Sequence, residues 1–263
     1  MYGDRCTYTL ENMTPTPHTL DLPPTDLLSG ATLFLDFDGT LVEFANSPEA
    51  VVVGETLDTL IGRLVDQLAG RLAIISGRPA EQVSGLFGSA SFAVAGSHGL
   101  EIRWPDGRLL SVPRPEQLTL VETEMDQLAS QFPGVLVERK PFGAALHFRM
   151  APHAEQACRE LARSLEERTG LHLQAGNKVF ELKAPWADKG SAVRFLMAGA
   201  DMAGTRPIFI GDDITDEAGF TAVAELGGAG ILVGDPRVTA ATYRLPDVTA
   251  TLAWLASSTG GAR

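Results

Sequence analysis

The apolar run Leu33-Phe34-Leu35 ends in Asp36-Phe37-Asp38-Gly39-Thr40-Leu41, and no other stretch limits the possible folds so sharply. Alternation along a strand turns Asp36 and Asp38 to one side and Phe37 to the other. Two carboxylates roughly 4–6 Å apart repel by several kcal/mol at an effective dielectric of about 20, so the pair needs a reason to exist. A hard cation between them, or a shared proton, supplies one. Taken alone, a D-x-D-G stretch fits equally well an Asp that caps the next element beside an Asp solvated in a turn.

The surrounding chain alternates short apolar runs with helical periodicity. Leu57, Leu60, Ile61, Leu64, Val65 and Leu68 recur at helical spacing, and Gly70 stands where such a helix stops. A strand over 72–75 breaks into Ser76-Gly77-Arg78-Pro79. A short helix over 81–87 follows, then a strand from 92 that runs into Gly96-Ser97-His98-Gly99. Strand and helix in strict succession predict buried parallel strands with functional groups at their carboxyl ends. Beyond residue 103 the rhythm changes. Leu118, Val121, Met125, Leu128 and Phe132 mark one amphipathic helix, and Ala154, Ala157, Leu161, Leu165 and Arg168 a second. Alternating segments at 135–140, 144–150, 171–174 and 179–183 read as antiparallel strands. The parallel rhythm returns with Asp188 capping a helix through Met197, strands at 207–211 and 230–233, and a closing helix around 252–255. The expected fold is therefore α/β: a doubly wound parallel-sheet core over 31–103 and 184–263, with an α+β unit inserted over 104–183. Residues 1–30, carrying Pro15, Pro17, Pro23 and Pro24, read as a loosely ordered leader.

The 263 residues carry a net charge of −12, and the pI near 4.8 argues against a nucleic-acid or anionic-membrane partner, both of which need a basic field. No apolar run approaches the ~18 residues of a spanning helix, and no basic segment followed by an apolar one opens the chain. Cys6 and Cys158 are far apart and without His at ligand spacing, so neither a disulfide framework nor a zinc site is expected, and the setting reads as reducing and cytoplasmic. Trp104, Trp186 and Trp254 read as packing anchors.

Four strand or helix ends offer polar groups: Asp36 and Asp38, Ser76, Lys189, and the run Gly211-Asp212-Asp213-Ile214-Thr215-Asp216-Glu217. These acids repel if they converge. A Mg²⁺ ion resolves the repulsion, because it takes carboxylate oxygens, keeps several waters and bridges to a substrate phosphate. Lys189 and the Ser76 hydroxyl then take the remaining phosphate oxygens. Singly, Ser76 is an ordinary turn residue and Lys189 an ordinary solvated lysine. The signal lies in their order.

That order resembles the haloacid dehalogenase superfamily of phosphatases, whose four motifs match Asp36-Phe37-Asp38-Gly39-Thr40, Ser76, Lys189 and Gly211-Asp212-Asp213. The resemblance implies Asp36 as the nucleophile that forms an aspartyl-phosphate and Asp38 as general acid and then base. It implies a Mg²⁺ shell from Asp36, Asp212 and the main-chain carbonyl of Asp38, supported by Asp213 or Asp216. A narrower likeness, over roughly 31–255, is to trehalose-6-phosphate phosphatases. It is carried by Asp212-Asp213-Ile214-Thr215-Asp216-Glu217, by Gly96-Ser97-His98-Gly99-Leu100-Glu101, and by Glu138-Arg139-Lys140 with His147-Phe148-Arg149. By it, the inserted unit is a cap domain, the enzyme is a phosphoric monoester hydrolase of trehalose biosynthesis, and the partner is a sugar phosphate, with a monomer expected. Gly99, Glu101, Glu138, Lys140, His147, Arg149, Lys178 and Glu181 are implied as substrate-binding. Asn177 stands where that family carries a lysine, and Lys178 follows one position late. Two rivals remain at this point: a related phosphatase or mutase with another sugar-phosphate substrate, and a non-catalytic sugar-phosphate-binding regulatory subunit.

Overall fold

The computed structural model describes residues 20–44, 51–88, 91–184 and 188–259. Residues 1–19 of the expected leader, Cys6 and Trp186 lie outside the described residues. The first part of the chain runs β1 (Ala31–Leu35), α1 (Glu55–Gln67), β2 (Leu72–Ile75), α2 (Ala80–Gly85), β3 (Ala93–Gly96), β4 (Glu101–Arg103) and β5 (Leu109–Ser111). The inserted unit follows as α3 (Leu118–Gln131), β6 (Leu136–Lys140), β7 (Gly143–His147), α4 (Glu155–Thr169), β8 (His172–Gly176) and β9 (Val179–Lys183). The chain then returns through α5 (Lys189–Met197), β10 (Arg206–Gly211), α6 (Glu217–Glu225), β11 (Ala229–Val233), β12 (Tyr243–Leu245) and α7 (Val248–Ser258).

The larger sheet has the order β12-β11-β10-β1-β2-β3-β4-β5. Its strands from β12 to β3 are parallel, and β4 and β5 turn back antiparallel. Both faces are covered, which explains why β1 and β2 are buried at every position. Leu33, Leu35, Ile208 and Ile210 pack with Leu57, Ile61, Leu64 and Leu255 of α1 and α7. Phe34 and Phe209, on the alternate face, pack with Val193 and Leu196 of α5 and Phe220 of α6. The chain leaves β1 for β2 on one side and meets β10 on the other, so a crevice opens at the carboxyl end of β1. The register Leu35↔Ile210, extended by the Asp36 N–H donating to the Ile210 carbonyl at 2.9 Å, brings the Asp36 loop alongside the loop after β10.

The second sheet, β6-β7-β9-β8, is antiparallel throughout. One face, with Ala144, Leu146, Phe180 and Leu182, packs on Val121 and Met125 of α3 and Cys158, Ala162 and Leu165 of α4. The other face carries Glu138, Lys140, Glu181 and Lys183, so period-2 alternation leaves it polar.

The leader reading needs correction over 20–30. Leu27 and Leu28 are buried, the Trp254 indole N–H donates to the Pro23 carbonyl at 3.0 Å, and the Arg244 N–H donates to the Asp21 carbonyl at 3.0 Å. Pro23 and Pro24 disfavour a helix there but do not prevent a run of turns over 25–30 from lying on the core. The larger sheet also continues through β4 and β5, past residue 103, where the sequence rhythm changes. Those strands are three residues each, too short to show a period, and β5 exposes Leu109 and Leu110 rather than burying them. α6 is equally illegible, because its buried face includes Gly219 and Ala222 beside Phe220 and Val223. No helix among the described residues is long and apolar enough to cross a membrane.

Candidate active site

Asp36 lies one residue past β1 and is buried. Its Oδ1 accepts from Lys189 Nζ at 2.6 Å, and the same ammonium donates to Asp216 Oδ1 at 2.6 Å. Lys189 is the first residue of α5, whose position is fixed by a capping box between Asp188 and Ser191. Asp216 is fully buried, and its Oδ2 accepts from the Asp212 and Asp213 N–H groups at 3.0 and 2.9 Å. Asp212 completes the group, so that one oxygen each from Asp36, Asp212 and Asp216 lie within 4.8 Å of one another. Gly39 makes this approach possible. It takes φ +83°, and a β-carbon there would sit 2.3 Å from Asp212 Oδ2.

Asp36 and Asp216 share one ammonium with Asp212 beside them, and the electrostatics record it. Burial, partly offset by Lys189 and reinforced by Asp212, raises the Asp36 carboxyl to about 6. Burial likewise takes Asp212 and Asp216 to about 6. Burial opposes the Lys189 charge, but Asp36 and Asp216 outweigh it and push its pKa up. The remaining negative charge on an all-oxygen donor set is what a hard divalent cation neutralises. The described residues therefore form an acidic cluster that fits a metal ion.

Asp38 does not join that cluster through its side chain. Arg78 holds it, Nε to Oδ2 at 2.6 Å and Nη2 to Oδ1 at 2.7 Å, while the guanidinium lies 5.6 Å from the centre of the Phe37 ring. Ser76, buried at the end of β2, accepts the Arg78 N–H on Oγ at 3.1 Å. Asp38 and Arg78 line a cavity of about 400 Å³ that runs from Gly77, Gln82 and His98 to Glu138, Lys140, Glu181 and Lys183 of the inserted unit. On that polar face Lys140 Nζ donates to Glu181 Oε2 at 2.7 Å, and His147 Nε2 pairs with Glu138 Oε2 at 2.8 Å. Burial lowers the Lys183 pKa, with Glu181 opposing and Lys140 adding to the effect.

Several residues implied by the resemblance stand elsewhere. Asp213 is exposed and its carboxylate accepts from the Ile214 N–H at 2.6 Å, closing its own turn, so Asp216 takes its place in the acidic group. Glu101 is turned to α2, where Oε1 accepts from the Ala80 N–H at 2.9 Å and from Ser97 Oγ at 3.1 Å. It serves as the cap that Pro79 cannot provide. Gly99 takes φ +99° against α5, where a β-carbon would lie 2.9 Å from the Ala192 methyl. Lys178 occupies the β8–β9 turn at φ +64° and reaches Glu155 Oε2 at 3.2 Å on the helical side, away from the cavity lining. Arg149 is exposed in a turn past β7 and does not line the cavity. Neither does His147, which bounds it only through Glu138. The sequence reasoning missed Arg78, His98 and Lys183. Spacing holds a signal for two of them: Arg78 stands two residues after Ser76, and Lys183 two after Glu181 on one strand face.

An α/β core with an inserted α+β unit, and with acids, serine and lysine gathered at the carboxyl end of β1, is a fold shared with a solved phosphatase of the haloalkanoate (HAD) superfamily, which superposes with a TM-score of 0.59 at 16% identity, covering 85% of this chain and 92% of that one. The sequence profile described as Trehalose-phosphatase matches residues 34–249, and the chain belongs to that family. It is 38% identical over 214 residues to a probable trehalose-phosphate phosphatase of Sinorhizobium fredii, covering 81% of this chain and 80% of the relative. Against the trehalose-6-phosphate phosphatase of Escherichia coli it is 35% identical over 224 residues, covering 84% of each. The crystal structure of a trehalose-6-phosphate phosphatase related protein superposes with a TM-score of 0.71 at 25% identity, covering 85% of this chain and 94% of that one. The chain is accordingly a phosphatase, a phosphoric monoester hydrolase.

Proposed function

We propose that this enzyme hydrolyses trehalose 6-phosphate, using Asp36 as nucleophile, with the unit over 104–183 acting as a cap across the sugar. The observation that carries the reading is the buried Lys189–Asp36 contact at 2.6 Å, with Asp38 two residues away on the cavity wall. Lys189 holds one Asp36 oxygen and neutralises charge as the carboxylate attacks phosphorus. The phosphorus–oxygen bond to the sugar breaks, Asp38, in its protonated form with one oxygen turned from Arg78, gives its proton to the departing sugar oxygen, and an acyl phosphate stays on Asp36. Asp38 then takes a proton from water, which attacks that phosphorus and returns Asp36 and free phosphate. When bound, Mg²⁺ supplies further neutralisation of the phosphoryl oxygens, and Asp36, Asp212 and the Asp38 carbonyl would hold it, with Asp216 fixing the Asp212 backbone.

Glu138, Lys140, Glu181 and Lys183 mix acceptors and donors on one face, which suits sugar hydroxyls beside a phosphate better than it suits a protein partner. A non-catalytic binding protein has no use for a buried Asp36–Lys189 pair. A monomer working in the cytoplasm belongs to the same reading. The test is phosphate release from a panel of sugar phosphates with Mg²⁺ and with a chelator. Release from trehalose 6-phosphate above the other sugars, abolished by the chelator, is expected; release from none of them overturns the reading.

A further inference from the structure

The turn after β3 is bent against its own backbone preference. Ser97, His98 and Gly99 take φ of +50°, +60° and +99° in succession, a left-handed run that residues with a β-carbon rarely enter. A set of bonds holds it there. The Ser97 N–H donates to the Arg78 carbonyl at 2.8 Å, the His98 N–H to the Ser76 carbonyl at 2.9 Å, and Ser97 Oγ to Glu101 at 3.1 Å. The result stands the His98 ring against Gly77, where a β-carbon would lie 2.9 Å from ring Cε1 and Nε2. Strain that the surroundings enforce this thoroughly points to a residue whose placement matters.

The ring lines the cavity with Lys140, Glu181 and Lys183, and no described residue makes a hydrogen bond to either of its nitrogens. Burial first, then Lys183, Lys189 and Lys140, lower its pKa to about 3. At neutral pH it therefore offers one N–H donor and one lone pair without charge. Lys189, Lys140 and Lys183 already offer cations to a phosphate, and a neutral imidazole adds little to them. A hydroxyl group needs one donor and one acceptor, and the ring has both.

We propose that His98 is a sugar-binding residue, exchanging hydrogen bonds with a hydroxyl of the ring that bears the phosphate, and that this contact favours a sugar over an aryl leaving group. The proposal rests on the sugar-phosphatase reading, and its test keeps the two apart. Steady-state kinetics of the wild type, His98→Gly and His98→Asn are measured on trehalose 6-phosphate and on nitrophenyl phosphate. Glycine accepts φ +60° and removes the ring, while asparagine tolerates that backbone and keeps a donor and an acceptor. His98→Gly should lower kcat/KM for the disaccharide about 10–100-fold, the scale of one or two neutral hydrogen bonds, and change aryl hydrolysis less than about threefold. His98→Asn should recover most of the loss. The ratio of the two efficiencies is taken on one preparation, so a smaller folded fraction cancels. An unchanged ratio in His98→Gly, or an Asn variant no better than Gly, overturns the proposal while leaving a phosphatase. A wild type inactive on trehalose 6-phosphate overturns both.

Discussion

Arg78 grips the Asp38 carboxylate at both oxygens, through Nε and Nη2 at 2.6 and 2.7 Å. Both partners are mostly shielded, at 13% and 26% side-chain exposure, so solvent screens the pair only in part. A planar fork on a planar carboxylate fixes direction as well as distance. Arg78 thus governs where the Asp38 carboxylate, the acid and base of the proposed reaction, points.

Arg78→Ala should lower kcat for trehalose 6-phosphate by about 10²-fold or more, the scale of general acid–base catalysis lost. Arg78→Lys should not rescue it, because a point charge cannot grip both oxygens. Nitrophenyl phosphate, with its better leaving group, should suffer less in the first step. Wild-type kinetics in Arg78→Lys would show that the two-point grip is dispensable.

Two glutamates that look alike in the sequence should behave oppositely. Glu181 faces the cavity and pairs with Lys140, so Glu181→Ala should lower kcat/KM for the disaccharide by about 10²-fold, one or two charge-assisted hydrogen bonds, and aryl hydrolysis less than about fivefold. Glu101 caps α2, so Glu101→Ala should lose about 0.5–2 kcal/mol of stability and affect both substrates alike. Thermal melting with paired kinetics on the two variants checks this. A sugar-selective loss in Glu101→Ala would return it to the substrate.

His98 should also shape the acid limb of stability. Its folded pKa, about 3, is below the ordinary imidazole value of 6.5, so between those values the unfolded chain binds one proton more. Unfolding free energy then rises with pH, and stability is lost as pH falls below 6.5, by at most about 1.4 kcal/mol per pH unit from this group. Urea unfolding of the wild type and His98→Asn between pH 7 and pH 5 isolates that contribution. Parallel pH dependences would mean that the ring is protonated in the folded state too.

The sequence held the skeleton of this account, and the physical reason is periodicity. Leu33 and Leu35 against Phe34 announce a strand buried on both faces, Asp188 announces a helix start, and the alternation of Glu138 with Lys140 and of Glu181 with Lys183 announces a polar sheet face. What it did not reveal depends on contacts across turns. Whether Asp213 or Asp216 turns inward is decided by two backbone N–H groups closing on Asp216. Whether Glu101 meets a sugar or a helix is decided by an uncapped N–H at Ala80. Lys178 was lost to a single-residue slip at a turn, and His98 to a backbone conformation that no side-chain pattern encodes.

The central claim is that Asp36 is the group that receives the phosphoryl. It is tested most directly by acid-quenching the Asp38→Asn variant during turnover of trehalose 6-phosphate with Mg²⁺, then locating the phosphoryl group by peptide mass spectrometry. With water activation impaired, the acyl phosphate should accumulate on the peptide containing Asp36, and none should form when Asp36→Asn is added. Phosphate release by Asp36→Asn within tenfold of the wild-type rate, or a phosphoryl group on another residue, would contradict the account.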